Sequence, residues 1–306
     1  MSDKAAAAFA PHLYLFQANA VALAVRLRRP EEVRESLGSA SLTGIGGRAA
    51  AEGRDVKLHK GALTVDSYRT EVTGDYADLT AAAKLTESHG DNVSPWRTNQ
   101  LETVTTTQCT INGFRSINFD SGARVGGPRL EAAHLDFKME ARHRRRYHDE
   151  MEVSFGRLVF SGVSVNGRAL TVSARPDIFD SLPTFAAFKN EFNCNETFRK
   201  TYGHMVYAPS NDALSWLKGN HLHDHRGFCT VTVVNQIEWA DGKGDDARGH
   251  INGHSVIVPG YGTIYFGEMT VSPVQRRLHM VRVELGCPDG GSKMAASGCP
   301  GGHDHP

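Results

Sequence analysis

No stretch of this chain carries the ~20 consecutive apolar residues that a bilayer-crossing helix needs. No excess of one charge is present either, because 34 Lys and Arg balance 34 Asp and Glu. That balance argues against a strongly basic nucleic-acid binder and against an acidic, halophile-like surface. The five cysteines, Cys109, Cys194, Cys229, Cys287 and Cys299, are odd in number and never spaced CxxC. Neither a disulfide framework nor a four-cysteine zinc site is indicated. Cys287-Pro288 and Cys299-Pro300 echo each other and could close a small loop, or stand as two free thiols in a tail. A P-loop, an HExxH and a GxSxG are all missing. Near the N-terminus, Asp3, Pro11 and His12 interrupt what would otherwise read as an export signal, so a cleaved leader is not expected. The reading is a soluble chain, cytoplasmic rather than exported.

What is present points to strands. The 306 residues, 40% hydrophobic and 22% charged, suit either two domains or one large all-β domain at ~150 residues per domain. Glycine is high, at 31 residues, which favours turns and short strands over long helices. Val21, Leu23, Val25 and Leu27 recur at every second position, as do Leu135, Phe137 and Met139, and Val281, Val283 and Leu285. That is the period of a half-buried strand. Phe228–Trp239 and Thr263–Val271 are rich in β-branched and aromatic residues. A β-branched residue followed by Asn-Gly occurs three times, at Ile111-Asn112-Gly113, Val165-Asn166-Gly167 and Ile251-Asn252-Gly253. Asn-Gly suits the type I′ turn, so each copy predicts a tight antiparallel hairpin.

One region reads differently. Phe185, Phe188 and Phe192 form a helical stripe, with Ser181 as a candidate cap and Pro183 in the first turn. Thr197–Tyr202 and Asp212–Leu217 are candidates for further short helices, and Tyr76–Leu85 for a surface helix. The fold class is therefore mainly β, antiparallel sheets in a sandwich or barrel-like arrangement, with a helical insert around 180–217. The domain reading is a β-rich domain or half over 1–175, the helical insert over 176–220, a β-rich segment completing the fold over 221–286, and a Gly/His-rich tail over 287–306. Residues 87–99 are the expected long loop.

The sharpest chemical signal is His221-Leu222-His223-Asp224-His225. In an extended segment, alternate imidazoles share a face, and imidazole binds zinc or copper with Asp224 as ligand or ring-orienting partner. His250 and His254 flank the last Asn-Gly and could join across its hairpin. The plain alternative is a solvated polar loop. Gly44-Ile45-Gly46-Gly47-Arg48-Ala49 has the form of a dinucleotide fingerprint, but no buried strand precedes it and Gly53 breaks the helix that should follow. A surface turn fits better. The basic run Arg142–Arg146 is followed at once by Asp149, Glu150 and Glu152, which suits a charged strand edge or a complementary contact between copies. With no general base or nucleophile singled out, the leading expectation is a non-enzymatic structural protein whose partner is itself, in a homo-oligomer or filament, with no nucleic acid or membrane involved. The rivals are a metal-binding protein or metal-dependent enzyme at the histidine cluster, and a carbohydrate or small-ligand module using Trp96, Trp216 or Trp239.

Overall fold

The computed structural model describes residues 13–28, 32–77, 102–120, 123–143, 150–207, 228–286 and 290–305. The chain opens with β1 (Leu13–Leu27), β2 (Val33–Ser41), β3 (Gly47–Leu58), β4 (Leu63–Tyr76), β5 (Thr103–Asp120), β6 (Ala123–His143), β7 (Glu152–Ser161), β8 (Val163–Val165) and β9 (Arg168–Ala174). Three short helices follow: α1 (Pro176–Asp180), α2 (Phe185–Cys194) and α3 (Glu196–Tyr202). Then come β10 (Gly203–Tyr207), β11 (Phe228–Thr232), β12 (Val234–Trp239), β13 (His250–Asn252), β14 (Ser255–Val258), β15 (Gly262–Ser272), β16 (Gln275–Leu285) and β17 (Gly291–His305).

All pairing is antiparallel, in two sheets. The nine-stranded sheet runs β10-β11-β15-β16-β17-β1-β2, with β14 and β13 added beside β15; the eight-stranded sheet runs β12-β9-β8-β6-β5-β4-β3, with β7 beside β6. The sheets share one apolar core that includes Leu23, Val25, Ile111, Phe137, Phe266 and Val281. Mainly β with a helical insert is thus the architecture, and it is a sandwich with open edges, not a closed barrel. Side chains also cross between layers as hydrogen-bond donors, Thr107 to the Asn19 carbonyl at 2.9 Å and Lys293 to the Ile117 carbonyl at 2.5 Å.

A crease runs across each sheet. Inward-facing residues of a flat strand keep one parity, but here the parity slips once. In β1 the buried set is Phe16, Ala18, Ala20 and Ala22, then Leu23, Val25 and Leu27; in β16 it is Leu278 and Met280, then Val281 and Val283. In β5 it is Cys109 and Ile111, then Phe114 and Ser116. The slips line up. By register, Gly38, Ala22, Ala296, Met280 and Gly267 stand opposite one another in the nine-stranded sheet. Asp55, Asp66, Gly113, Ala133 and Gly162 do so in the other. Every second member of each row has left-handed backbone: φ is 66° at Gly38, 50° at Ala296 and 60° at Gly267, and 51° at Asp55, 62° at Gly113 and 58° at Gly162.

The doubled residues face inward in one sheet, as at Ala22-Leu23, Met280-Val281 and Ala295-Ala296, and outward in the other, as at Arg54-Asp55 and Ala133-His134. The change of parity is therefore shared by both layers and has opposite sense in the two, so the core faces of the sheets stay apolar on both sides of the line. At the edge of the sandwich, Thr70 Oγ1 of β4 donates to the Gly38 carbonyl of β2 at 2.9 Å, a direct tie between the layers.

Several sequence expectations change. Asn112-Gly113 is no hairpin: it lies inside the continuous strand β5, and its glycine supplies the crease. Val165-Asn166-Gly167-Arg168 does form the tight turn, with φ of 49° and 73° at its two central residues. In the third copy Asn252 pairs with Ser255, so Gly253-His254 is the loop and only Gly253, φ 61°, is left-handed. Phe228–Trp239 is not one strand. It crosses from one sheet to the other at Val233, whose N–H meets the Gly267 carbonyl at 2.8 Å.

The helical insert begins at Pro176 and its last helix ends at Tyr202, with β10 following directly. Thr184, not Ser181, caps α2, accepting from the Ala187 N–H at 3.1 Å. Phe185, Phe188 and Phe192 are its buried face, as the stripe predicts. Arg276 of β16 holds the turn before α2 by donating to the carbonyls of Leu182 and Thr184. Most of Tyr76–Leu85, and all of 87–99 and Asp212–Leu217, fall outside the described residues.

The largest correction concerns the expected tail. Residues 291–305 form β17, in the middle of the nine-stranded sheet between β16 and β1, so the first and last described strands are neighbours. Gly298 is there for close approach: a Cβ would lie 2.5 Å from Thr107 Oγ1 and 2.7 Å from the Phe137 ring. Pro300 comes after the last pair with β16, Leu278↔Gly298, so its missing N–H interrupts no bond on that side. β1 and β2 complete a sheet otherwise built from strands within 203–305, so the later β-rich segment and the start of the chain share one sheet.

Gly267→Ala tests the crease. A Cβ there would sit 2.8 and 2.9 Å from the Val233 and Val234 methyls at φ 60°. Backbone strain of ~1–2 kcal/mol adds to an overpacking cost of ~1–3 kcal/mol, so urea unfolding should show a loss of at least ~2 kcal/mol. Gly286→Ala, with open space and ordinary backbone, should stay within ~0.5 kcal/mol.

Candidate functional site

The predicted metal set is only partly visible. His221, His223, Asp224 and His225 lie outside the described residues. His250 and His254 are described, and the hairpin does not bring them together. His250 opens β13 opposite Ile257, whereas His254 sits in the turn at the other end. His250 Nδ1 is engaged by Asp245 Oδ2 at 2.6 Å. Among the described residues no group of three or more His, Cys, Asp and Glu is arranged to hold a metal ion.

Asp245 belongs to a loop fixed from below by Arg168. This arginine, with 3% of its side chain exposed, donates to both Asp241 oxygens at 2.6 and 3.0 Å and to the Lys243 and Gly244 carbonyls. Its guanidinium stacks 4.2 Å above Trp239, and that indole N–H donates to Asp245 at 2.9 Å. Arg168 holds the Asp241 carboxyl down to about 2. Trp239 is thus buried under an arginine and is not a platform for a sugar; Trp96 and Trp216 are not described.

His254 lines a cleft of about 480 Å³ with Lys200, Asn235, Asn252, Ser255 and Tyr265 among its walls. Tyr265 is covered on one ring face by Arg282 at 4.2 Å. Arg282 in turn is bound to Glu268, through both Nε and Nη2. Glu268 stands opposite His279 in the β15–β16 ladder. His279 Nδ1 is buried without a hydrogen-bond partner, and burial pushes this imidazole down to about 4, with Arg277 and Arg282 adding to the effect against Glu268. The cleft offers amide, hydroxyl and imidazole groups to a small polar molecule.

Among the described cysteines only Cys194 is exposed. Cys109, Cys229 and Cys299 are buried free thiols, and burial raises all three, Cys229 to about 12. A thiol held protonated is a poor nucleophile. Ser116 Oγ and Tyr261 Oη share a 2.5 Å hydrogen bond, and Lys293 Nζ lies 5.2 Å from the Tyr261 ring. All three residues are buried between the sheets, and burial pushes the Tyr261 phenol up. This cluster ties layers together. Its one contact across 176 residues of sequence leaves no local signature to read.

The remaining exposed feature is the side of the sandwich where both sheets end. β2 and β3 are joined by the turn Thr43–Gly46 and are the outermost strands of their sheets. β3 is 12 residues long and pairs only with β4 among the described residues. Its outward row, Arg48, Ala50, Glu52 and Arg54, is exposed. Arg48 donates Nε and Nη2 to Glu71 at 2.8 and 2.9 Å, and Arg69 adds a third bond at 2.8 Å. Together they hold the Glu71 carboxyl down to about 2. Inside the edge, Tyr68 packs against Gly53 of β3 and Gly38 of β2, where added Cβ atoms would come within 2.6 and 2.4 Å of its ring. The expected surface turn at 44–49 is therefore the link between two open edges.

Residues 129–272 match the model of a domain of unknown function, DUF8256. The match begins in β6 and ends in β15, so it takes strands from both sheets and the whole insert. No curated protein sequence matches the chain. A solved structure of an active-site mutant of outer membrane phospholipase A from Escherichia coli aligns over 98% of this chain and 94% of that one, at 8% identity and a TM-score of 0.15. That score establishes no common fold. No helix among the described residues is long and apolar enough to cross a membrane.

The His279 environment predicts an acid-sensitive step. Its folded value is about 4 against an ordinary 6.5, so the unfolded chain binds the proton first. The corresponding stability is complete above about 6.5 and is lost as pH falls toward 4. In urea titrations from pH 7 to 4, His279→Gln should lose less stability than the parent over that window. Parallel curves would refute it.

Proposed function

We propose that this chain is a non-enzymatic structural subunit that self-associates through its open sheet edges. One observation carries the reading: β2 and β3 end the two sheets on the same side, each paired on one side only among the described residues. An unpaired strand presents a row of N–H and C=O groups that a further strand can satisfy. Two such edges lying together give a docking side in both layers at once. The long β3 makes this side more than a blunt corner. Support also comes from the surface charges: Lys and Arg balance Asp and Glu over the chain, and among the described residues Arg48, Arg69, Arg115 and Arg142 are paired with carboxylates on the same sheet.

Mass photometry and light scattering at micromolar concentration should find a homo-oligomer. A strict monomer over that range would remove the reading.

A further inference from the structure

Resting on the assembly reading, we infer that two copies pair β3 to β3 antiparallel, about a two-fold axis through Ala50. The crease limits how much of β3 can pair. Asp55, at φ 51°, bends β3 and spoils its far half as a template, because a kink twists an edge away from a partner. The half from Gly47 to Arg54 precedes the kink. Ala49, Ala50 and Ala51 at its centre raise no bulk against an approaching strand.

A two-fold axis normal to the sheets makes the contact isologous. For the β3 layer to continue into its counterpart, outward residues must meet outward residues. The axis then passes through a residue and not between two. Each choice sets a different charge pattern. An axis at Ala51 places Arg48 opposite Arg54 of the second copy. An axis at Glu52 places that carboxylate opposite itself. An axis at Gly53 joins Glu52 to Arg54 but draws the kinked Asp55 into the ladder. An axis at Ala50 places Arg48 opposite Glu52 twice, brings the two Ala50 methyls together, and pairs Gly47 with Gly53, all before the kink. Directly opposed unlike charges stabilise such pairs and like charges oppose them.

The groups are ready for this contact. Glu52 is 78% exposed, and its one ion-pair contact is to Arg69 at 4.0 Å. Arg48 is 59% exposed and oriented by Glu71 through Nε and Nη2, which leaves Nη1 for a second carboxylate. Exposed ion pairs contribute only ~0.2–1 kcal/mol each. Here they select the register, while main-chain hydrogen bonds along the edges supply the attraction.

Ala50→Cys reads the register directly. Opposed Cβ atoms in an antiparallel pair are ~4.5–5.5 Å apart, within a small adjustment of the ~3.5–4.5 Å of a disulfide. In a full-length chain with Cys194 and Cys287 replaced by serine, mild oxidation should convert Ala50→Cys to a covalent dimer on a non-reducing gel. Lys57→Cys, exposed on the same strand beyond the kink, should stay uncrosslinked. Glu52→Arg should dissociate the dimer in mass photometry, and Arg48→Glu with Glu52→Arg should restore it. An oligomer in which Ala50→Cys fails to crosslink, or crosslinks no better than Lys57→Cys, overturns this register and leaves the assembly reading standing. A chain monomeric throughout overturns both.

Discussion

The sandwich depends on one row of backbone geometry in each sheet. Long antiparallel strands such as β1, β4, β5 and β6 would twist steadily if left regular. Stacked closely over such lengths, twisted sheets diverge toward their corners. Left-handed residues at alternate strands interrupt that regularity along one line in each sheet. Gly38, Ala296 and Gly267 set it in one layer, and Asp55, Gly113 and Gly162 in the other. The doubled residues point inward in the first and outward in the second, and the two layers share one apolar core on both sides of the line. A left-handed residue costs ~1–2 kcal/mol when it carries a Cβ. Four of the six positions are glycine, and Asp55 is of a type that tolerates the region. Ala296 bears the strain in a fully buried place.

Polar groups then fix the stacking that apolar burial alone would leave free to slide. Hydrophobic contact has no direction, whereas a buried donor must meet its acceptor. Thr70 to Gly38, Thr107 to Asn19 and Lys293 to Ile117 each tie a side chain of one layer to the main chain of the other. They lie on both sides of the crease line. Ser116 and Tyr261 add a fourth tie. The helical insert is fixed by the same means, with the Arg276 guanidinium reaching two carbonyls ahead of α2 and Asp180 accepting from the Phe155 N–H at 2.6 Å.

How much of this is legible in the residues depends on the range of the interaction. Period two at Leu135, Phe137 and Met139, and the Phe185–Phe188–Phe192 stripe, are local and read correctly. Asn112-Gly113 and Asn166-Gly167 share a dipeptide and differ in outcome. The second ends in a two-residue loop between short β8 and β9, while the first is held straight by β4 on one side and β6 on the other. Local turn preference yields there to two ladders. The C-terminal segment reads as a tail because composition equates glycine and proline with looseness. Gly298 is needed because Thr107 and Phe137 fill the space of its side chain, a fact held by residues more than 150 positions away. Of the six candidate metal ligands, only His250 and His254 are placed, and the partner that engages His250 is Asp245, a neighbour that the histidine count ignores. The charge order of β3 is visible in the sequence, but its meaning requires knowing that β3 ends a sheet.

Edge charges usually discourage association, and β3 shows why the rule has two sides. A Lys or Arg beside a generic strand is a barrier, since an apolar partner would have to bury it unpaired. The same charge beside its own complement is a filter. With Arg48 and Glu52 equidistant from Ala50, and Asp55 bending the strand just beyond, the edge rejects most strands by charge and most registers by shape. The proposed pairing with a second copy would meet both conditions in one alignment. The left-handed residue at Asp55 therefore also sets how far the β3 edge runs straight, and so bounds the length of strand available to the proposed pairing.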